Sequence, residues 1–245
     1  MNLTSELQQL KTWINEADKI VFFGGAGVST ESNIPDYRSE GGLYQQTEYP
    51  YPPEVILSKS FFEDNPAMFF RYRAEKMTYP DAKPNPAHFA LARLEQQGKL
   101  TAVITQNVDG LHQDAGSERV FELHGSMRRN YCLNCGLKYG FDFMQEHYPG
   151  IPECADCGAI VRPDVVLYEE ALPDDVWKGA VKALAKADLL IVGGTSLAVY
   201  PAAHLVAGFN GKRLVLINRE ETPYDNKADL VLRQPIGEVL AAVVD

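Results

Sequence analysis

The sequence has few cysteines, fewer basic than acidic residues and no apolar run long enough to cross a membrane. Each shortage excludes a class of protein. Four cysteines in 245 residues are too few for a disulfide-rich secreted scaffold. Lys and Arg number 23 against 33 Asp and Glu, and the net charge of −10 argues against nucleic-acid binding by bulk electrostatics. The most apolar window, 189–209, contains a Gly-Gly-Thr-Ser turn, a proline and a histidine, which indicates a buried strand, turn and helix rather than a membrane span.

The N-terminal sequence also lacks the basic and apolar regions of a signal peptide. We therefore expect a cytoplasmic protein without a membrane partner. An acidic surface favours basic partners such as lysine-bearing peptides, although a merely soluble surface has the same composition.

Apolar stretches alternate with amphipathic ones along the chain, which is typical of a parallel α/β sheet. At the N-terminus Leu3, Leu7, Leu10 and Ile14 recur at helical spacing and predict an amphipathic helix. Predicted strands cover 20–23, 101–105, 120–123, 189–192 and 214–217, and predicted helices cover 60–77, 86–97, 174–186, a segment from Pro201, and 236–244. The segment 39–53 is rich in Gly, Tyr and Pro and predicts a mobile loop or lid.

A glycine-rich turn follows the first predicted strand. Gly24, Gly25 and Gly27 let the backbone turn sharply and approach a phosphate, and Ser29 with Thr30 predicts the start of a helix whose N-H groups face an anion. The dinucleotide fingerprint is incomplete, because Thr30 stands where its third glycine would be. An ordinary strand-to-helix turn has the same composition, so this turn alone does not decide the ligand.

Polar residues follow several of the later predicted strands. Gln106, Asn107, Asp109 and His112 lie just after one strand, and His124 follows the next. Thr195, Ser196 and Asn218 follow two more. Because open α/β sheets bind ligands at the carboxyl ends of their strands, these residues predict a binding site at that edge.

The four cysteines form two C-x-x-C pairs. Cys132 and Cys135 are separated by 18 residues from Cys154 and Cys157, a spacing typical of a zinc ribbon. Four thiolate ligands leave zinc no open position, so we expect a structural ion. Disulfides or a redox pair fit a cytosolic protein less well. Lys138 is the only Lys or Arg of the segment 131–161, which makes a nucleic-acid role unlikely for this ribbon.

In chain order, the sequence contains GAGVSTESNIPDYR, TQNVDGLHQDAG, ELHGS, the paired C-x-x-C motifs, GGTSLAVYP and VLINRE. In this order and combination the motifs resemble those of sirtuins, which are NAD-dependent protein-lysine deacylases, over nearly the whole chain from Ile20. The resemblance implies a Rossmann-like parallel sheet domain with a smaller inserted zinc-ribbon and helical module. It also implies NAD as co-substrate, one structural zinc ion and an acyl-lysine peptide in the cleft between the two parts.

The domain boundaries implied by the resemblance are as follows. The Rossmann-like domain covers 1–43, 84–129 and 162–245, the helical or lid module covers 44–83, and the zinc-ribbon module covers 130–161.

The resemblance assigns the candidate NAD site residue by residue. The phosphate and ribose contacts are Gly25, Ala26, Gly27 and Thr30, and the residues closing over the nicotinamide are Tyr37 and Arg38. The nicotinamide and ribose pocket is lined by Gln106, Asn107, Val108 and Asp109, and the adenosine half by Thr195, Ser196, Asn218 and Ile236. Asn107 would hold a ribose hydroxyl or an ordered water.

His124 is the general base that the resemblance implies. In the family's reaction the acyl oxygen attacks C1′ of the nicotinamide ribose, nicotinamide leaves, and the histidine then takes a proton from a ribose hydroxyl. A neutral imidazole can accept a proton near pH 7, which suits this role independently of the resemblance. A histidine after a strand is more often structural, and here the surrounding motifs reverse that expectation.

The substrate side departs from the family's commonest pattern. The resemblance places the acyl-lysine peptide against Val165, Val166 and Tyr168, and Glu169 stands where the family often has glycine. An extra carboxylate there could favour basic peptides. Asn33 and Tyr37 also replace a more common glycine and phenylalanine.

Acyl specificity depends on the aromatic helix. Members that prefer succinyl or malonyl groups resemble one another in a Tyr-x-x-Arg pair, and the matching positions here are Phe70 and Arg73. Only the arginine is present, so we expect acetyl and other neutral acyl groups, with a broader deacylase that accepts acidic groups through Arg73 as an alternative. Protein ADP-ribosylation in the same fold is a further alternative, and a non-enzymatic NAD-sensing scaffold is disfavoured because the catalytic positions are filled.

Overall fold

The computed structural model describes residues 4–39, 41–45 and 48–244 and contains two β-sheets. In chain order the strands are β1 (Ile20–Gly24), β2 (Leu100–Thr105), β3 (Val120–Glu122), β4 (Gly125–Cys132), β5 (Lys138–Tyr139), β6 (Val161–Val165), β7 (Leu189–Gly193), β8 (Arg213–Ile217) and β9 (Leu230–Leu232). The larger sheet has six parallel strands in the order β3-β2-β1-β7-β8-β9. This is the strand order of a Rossmann fold, in which the order of strand addition reverses between β1 and β7 while the strands stay parallel.

Ten α-helices are described. They are α1 (Ser5–Glu16), α2 (Pro53–Ile56), α3 (Lys59–Asp64), α4 (Pro66–Lys76), α5 (Pro86–Gln96), α6 (Leu111–Asp114), α7 (Phe141–His147), α8 (Asp174–Leu184), α9 (Ala203–Ala207) and α10 (Ile236–Val243). None of the helices in the described part of the chain is long and apolar enough to cross a membrane.

Both faces of the parallel sheet are buried under helices, and side chains along each strand point alternately to one face and the other. On β1, Ile20 and Phe22 pack into a core shared with α1, α5 and α10. Val21 and Phe23 point the other way, into a core shared with α8 and α9. The central strands β1 and β7 are apolar throughout, and the polar residues that follow them lie in loops beyond their ends.

A second, smaller sheet lies beyond β3. It is antiparallel, in the order β5-β4-β6, and its core contains Met127, Cys132, Met144 and Val161. The same core takes in Ile56, Phe62, Phe69 and Phe70 from α2, α3 and α4. The ribbon and the short helices thus share one core. The domain boundaries proposed from the sequence stay a prediction.

The predicted strands and most predicted helices are confirmed, with three corrections. The helix predicted over 60–77 is two helices, because Pro66 cannot continue α3 and Asn65 caps α4 by accepting a hydrogen bond from the Met68 N-H. The helix expected at Ser29 and Thr30 is instead a pair of 3₁₀ turns, Ala26–Val28 and Thr30–Ser32. The third correction is that the strands β4, β5, β6 and β9 and the short helices α2, α6 and α7 were not predicted.

Two predictions fall partly on residues that are not described. Leu3, the first apolar position of the predicted N-terminal helix, lies outside the described residues, and the remaining positions lie in α1. The segment 39–53 includes Glu40, Gln46 and Thr47, which also lie outside them. Its described part contains a 3₁₀ turn, Leu43–Gln45, and the first residue of α2.

Candidate functional site

A cavity of about 510 Å³ opens at the carboxyl ends of β1, β2, β7 and β8 and reaches the segment after β6. The volume lies within the range of about 300–1,000 Å³ that is usual for cofactor and small-molecule sites. The predicted site residues that line it are Gly25, Ala26, Gly27, Thr30, Tyr37, Arg38, Arg73, Gln106, Asn107, Val108, His124, Val165, Val166, Tyr168, Thr195, Ser196, Asn218 and Ile236. Phe70, Asp109 and His112 were predicted for this site but do not line the cavity.

The glycine turn after β1 packs directly on the turn after β7. The Gly27 N-H donates to the Gly194 carbonyl at 2.8 Å, and the Gly25 N-H donates to that of Gly193 at 3.2 Å. A Cβ on Gly27 would lie 2.8 Å from Gly194 Cα, and one on Gly25 would lie 2.8 Å from Thr195 Cβ. These glycines are therefore required by the close approach of two turns, and the same approach leaves an open floor for a phosphate.

His124 occupies the loop between β3 and β4 at the cavity wall. Its Nδ1 lies 3.0 Å from the Gln106 carbonyl, which can only accept a hydrogen bond, so Nδ1 carries the proton and Nε2 keeps its lone pair. Burial lowers the pKa of His124 below its ordinary value, against the opposing effect of that hydrogen bond. The imidazole is thus neutral near pH 7 and has a free acceptor nitrogen.

A hydrogen-bond network lies beneath the polar floor of the cavity. Asn107 Nδ2 donates to Ser29 Oγ at 3.1 Å, and Ser29 Oγ donates to Asp109 Oδ2 at 2.7 Å. The other oxygen of Asp109 accepts from the Leu111 N-H at the start of α6. Burial raises the pKa of Asp109. Both of its oxygens are engaged by the protein, so its contacts here support the position of Asn107.

The sequence pointed to Ser29 only as the start of a helix, and the bond of its side chain to Asp109 was not predicted. The serine directly follows the GAGV turn, but its partner Asp109 is 80 residues away and only the fold brings them together.

The segment after the glycine turn places Tyr37 and Arg38 over the cavity. The Tyr37 ring packs edge-on against Tyr44 with centroids 5.4 Å apart, and the guanidinium of Arg38 lies 5.2 Å above the Tyr44 ring. Burial raises the pKa of Tyr37 to about 12, so its hydroxyl stays neutral. Tyr44 lines the cavity as well and was not predicted from the sequence.

The far end of the cavity is closed by the start of α10. Glu31 Oε1 accepts from the Gly237 N-H at 2.8 Å, which satisfies one free donor at that helix terminus. Asn218 and Ile236 line this end together with Gln234. Glu31 and Gln234 were not foreseen, since nothing in their local sequence distinguishes them from surface residues.

Val165, Val166 and Tyr168 form the opposite wall. The Val166 N-H donates to the His124 carbonyl at 2.9 Å, and the backbone of Tyr168 exchanges hydrogen bonds with Leu57 and Lys59 next to α3. This wall is therefore fixed both to the loop that carries His124 and to the helices.

Glu169 makes contacts within the protein that were not expected from the sequence. Its backbone is left-handed, with φ of 76°, which explains why a glycine suits this position. Its carboxylate accepts from the Ser60 N-H and the Ser60 hydroxyl, each at 2.9 Å. The carboxylate is thus held by α3, but these neutral donors leave its negative charge in place. The expectation that Glu169 favours basic peptides stays a prediction.

Arg73 and Phe70 have separate environments although both lie on α4. Phe70 is fully buried and packs against Phe62 and Phe69. Arg73 is 1% exposed and lines the cavity, with its guanidinium 5.5 Å from the Phe69 ring centroid. Among the described residues, nothing pairs with its Nε and Nη2 by hydrogen bonding. A buried cation without a partner is costly, and an anion in the cavity would relieve that cost.

The four cysteines meet in the smaller sheet. All four sulfurs lie within 4.8 Å of one another, with Cys132 and Cys157 at 3.4 Å and Cys135 and Cys154 at 3.6 Å. A tetrahedral zinc with Zn–S bonds of about 2.3 Å holds its sulfurs about 3.8 Å apart, so the donor set fits zinc.

The local turns also fit a zinc ribbon. Gly136 and Gly158 follow the two pairs with φ of 73° and 71°. The Tyr139 hydroxyl donates to Cys154 Sγ at 3.2 Å. Four protein ligands make such an ion structural.

A Rossmann-type sheet, a cavity at its topological switch point and a four-cysteine ribbon beside it define an NAD-binding enzyme class with a structural metal module. The Sir2 family model matches residues 25–201, and the chain belongs to this family. The resemblance to sirtuins is confirmed.

Similar proteins cover the chain from end to end. It is 55% identical to an NAD-dependent protein deacetylase of Clostridium acetobutylicum over 245 residues, covering 100% of both chains. It is 55% identical to an NAD-dependent protein deacetylase of Clostridium perfringens, covering 99% of this chain and 100% of the other.

Solved structures agree with the fold. A crystal structure of a Sir2 homologue–NAD complex has a TM-score of 0.87 at 39% identity, covering 97% of this chain and 92% of that one. A structure of Sir2 bound to acetylated peptide has a TM-score of 0.85 at 37% identity, covering 97% of this chain and 96% of that one.

Proposed function

We propose that the protein is an NAD-dependent protein-lysine deacetylase. The observation that carries this proposal is His124, whose free Nε2 faces a cavity bounded on one side by the glycine turn and on the other by Val165 to Tyr168. A cofactor and a peptide side chain can therefore meet at one base. Relatives that share more than half of their residues with this chain carry the same activity in their names.

Bound NAD supplies an electrophilic ribose carbon, C1′, whose leaving group is nicotinamide. The chain's own residues position NAD and the acyl-lysine and take a proton from a ribose hydroxyl. Val165, Val166 and Tyr168 hold the acyl-lysine against the cavity, and Tyr37 and Arg38 cover the nicotinamide side. Gln106, Asn107 and Val108 line the ribose, with Asp109 holding Asn107 in place through Ser29.

His124 Nε2 would accept a proton from a ribose hydroxyl, so that the hydroxyl oxygen could bond to the acyl carbon. The original acyl oxygen would stay on C1′, a water would supply the new carbonyl oxygen, and lysine would leave as its free amine. The Gln106 carbonyl keeps the ring in the required tautomer and orientation by accepting from Nδ1. At the other end, Gly25, Ala26, Gly27 and Thr30 receive the phosphates, and Thr195, Ser196, Asn218 and Ile236 receive the adenosine.

The products separate this proposal from protein ADP-ribosylation. We would incubate the protein with adenine-labelled NAD and an acetyl-lysine peptide. Deacetylation leaves the label in small molecules, as acetyl-ADP-ribose, while nicotinamide and free lysine appear together. Label that becomes attached to protein while the acetyl-lysine stays intact would contradict the proposal and support the transferase.

Arg73 favours a second candidate activity, the removal of acidic acyl groups. Its guanidinium is buried, lines the cavity and has two nitrogens without a partner among the described residues. A succinyl carboxylate would supply the missing counter-ion. Acetyl remains the expected substrate, because Phe70 offers no hydroxyl and is buried in the core.

An acyl-peptide panel tests this second candidate. Arg73→Met should lower the succinyl activity at least tenfold more than the acetyl activity, and Arg73→Lys should retain part of it. Equal losses for both acyl groups would show that Arg73 does not read the acyl chain. Because Met replaces an unpaired buried cation, we expect the variant to stay folded.

We also propose that the protein works in the cytoplasm on protein lysines rather than on nucleic acid. The net charge of −10 and the presence of Lys138 as the only Lys or Arg of the segment 131–161 support the second part. Cell fractionation and a DNA-binding titration at low salt test the two parts separately.

A further inference from the structure

Two tyrosines link the two walls of the cavity. The hydroxyls of Tyr44 and Tyr168 share a hydrogen bond of 2.6 Å, and both residues line the cavity. Tyr44 belongs to the cofactor-side segment, defined here as residues 36–39 and 41–45. Tyr168 belongs to the substrate-side segment, defined as residues 165–170. The two positions are 124 residues apart in sequence.

The cofactor-side segment folds largely on itself. The Leu43 N-H donates to the Asp36 carbonyl and the Tyr44 N-H to the Tyr37 carbonyl, both at 2.9 Å. Within the part of the chain that the structure describes, the backbone hydrogen bonds of this segment stay inside it. Its attachment to the rest of the molecule therefore depends on side chains, of which Tyr44 makes a direct bond to the opposite wall.

Tyr44 is also the residue on which the cofactor-covering side chains rest. Tyr37 packs edge-on against its ring, and the Arg38 guanidinium lies 5.2 Å above it. Burial raises the pKa of Tyr44, as does the hydrogen bond to Tyr168, so the hydroxyl is neutral and the bond joins two uncharged groups. A shift of Tyr44 would move both side chains that cover the nicotinamide side.

The substrate-side segment is held firmly at the same point. The Tyr168 N-H donates to the Leu57 carbonyl at 3.1 Å, and its carbonyl accepts from the Lys59 N-H at 3.0 Å. The next residue, Glu169, accepts two hydrogen bonds from Ser60. Tyr168 thus offers Tyr44 a fixed attachment point beside the surface that receives the acyl-lysine.

We propose that Tyr44 and Tyr168 are positioning residues that couple the two ligand sites, so that an acyl-lysine peptide and the ADP-ribose part of NAD each raise the affinity for the other. The inference rests on the proposed function. The hydrogen bond forms only when both segments hold the observed arrangement, and a ligand that orders one segment therefore favours the other. Linkage makes this effect reciprocal.

Calorimetric titration measures the coupling without turnover. ADP-ribose is titrated into the protein with and without an acetyl-lysine peptide, for the wild type, Tyr44→Phe, Tyr168→Phe and the double variant. We expect the peptide to tighten ADP-ribose binding in the wild type. Each single variant should lose about three- to tenfold of that tightening, the size of one hydrogen bond.

The double variant is the sharper part of the test. Because both substitutions remove the same bond, the double variant should lose no more coupling than either single variant. A merely structural role would give additive losses and lower thermal stability. Tyr51→Phe is the matched control, since Tyr51 is 46% exposed, packs on Phe61 and does not line the cavity. It should behave as the wild type.

The outcomes separate the coupling from the function. Phenylalanine variants that keep the wild-type coupling, losses that add in the double variant, or a wild type without coupling would overturn the proposed positioning role alone. A wild type that binds neither ligand and releases no nicotinamide in the presence of NAD and acetyl-lysine peptide would overturn the proposed function itself.

Discussion

His124 shows how one backbone carbonyl prepares a base. The carbonyl of Gln106 fixes Nδ1 as the protonated nitrogen and leaves Nε2 free, and burial lowers the pKa so that the ring is neutral at pH 7. In the proposed reaction the ring acts after nicotinamide has left. Replacing the histidine should therefore affect acyl transfer more than the earlier release of nicotinamide.

His124→Ala should lower deacetylation by about 10²- to 10⁴-fold, the usual contribution of a general base. Exchange of free labelled nicotinamide into NAD in the presence of acetyl peptide should fall less. In the wild type, activity should fall with acid only below pH 6.5, because the pKa of His124 is lowered from its ordinary value and the ring stays neutral down to that pH. His204→Ala, at an exposed histidine, is the control. Equal losses of exchange and deacetylation would contradict the assigned step.

His88 and His112 form a different kind of pair. Both are buried, their rings lie 4.8 Å apart, and burial lowers the pKa of His88 to about 4 and that of His112 to about 3. Unfolded histidine titrates near 6.5. Between pH 6.5 and about 4 the unfolded chain binds protons that the folded chain does not, so stability present above pH 6.5 is lost as the pH falls.

Urea unfolding at pH 7 and pH 5 checks this sign. The free energy of unfolding should fall with acid by up to about 1.4 kcal/mol per pH unit for each histidine. His112→Leu should reduce the dependence, and His147→Gln, at an exposed position, should leave it unchanged. A wild type equally stable at both pH values would refute the assignment of a neutral buried pair.

At the scale of elements, Glu169 adds a side-chain attachment to α3 beside the backbone hydrogen bonds of Tyr168. Its two hydrogen bonds with Ser60 are offset by a left-handed backbone that disfavours any side chain. Glu169→Ala loses the bonds and keeps the strain, whereas Glu169→Gly loses both. We expect the glycine variant to be more stable than the alanine variant by about 1 kcal/mol, measured by urea unfolding. An alanine variant as stable as the glycine variant would refute this account.

Some helices and strands could be predicted from the sequence and others could not. Five of the six strands of the parallel sheet were predictable, because they are short runs of mostly apolar residues, and β9 was not among those predicted. The break between α3 and α4 was visible in Asn65-Pro66 but was outweighed by the aromatic pattern on either side. Strand β4 was missed, because Gly125 to Cys132 alternates poorly and is defined by its partners β5 and β6.

For the molecule as a whole, the motifs predicted a shared site but not its contacts. The glycine turn, the residues after β2 and β7, and His124 do meet at one cavity. The Ser29–Asp109 bond, the Tyr44–Tyr168 bond and the Glu31 contact with α10 join residues 80, 124 and 206 positions apart. No local pattern encodes such pairs, since each depends on how distant loops converge.

The zinc site holds the smaller sheet to the helices of the same core. Cys132 and Cys154 are buried in that core, whereas the six-stranded sheet has separate cores of its own. Metal removal, or Cys132→Ser, should therefore unfold the smaller part and abolish activity while the large sheet persists. Hydrogen exchange of β4 and β6 compared with β1 and β7 measures this, with one zinc expected per chain. A zinc-free protein with full activity would contradict the structural role.

The central claim is that this chain moves an acetyl group from lysine to ADP-ribose and releases one nicotinamide for each transfer. The most direct test is one reaction containing NAD and a peptide with carbon-13 in its acetyl-lysine, followed by mass spectrometry of all products. We predict equal amounts of nicotinamide, free-lysine peptide and ADP-ribose carrying the labelled acetyl group. Labelled free acetate with NAD unconsumed would contradict the account.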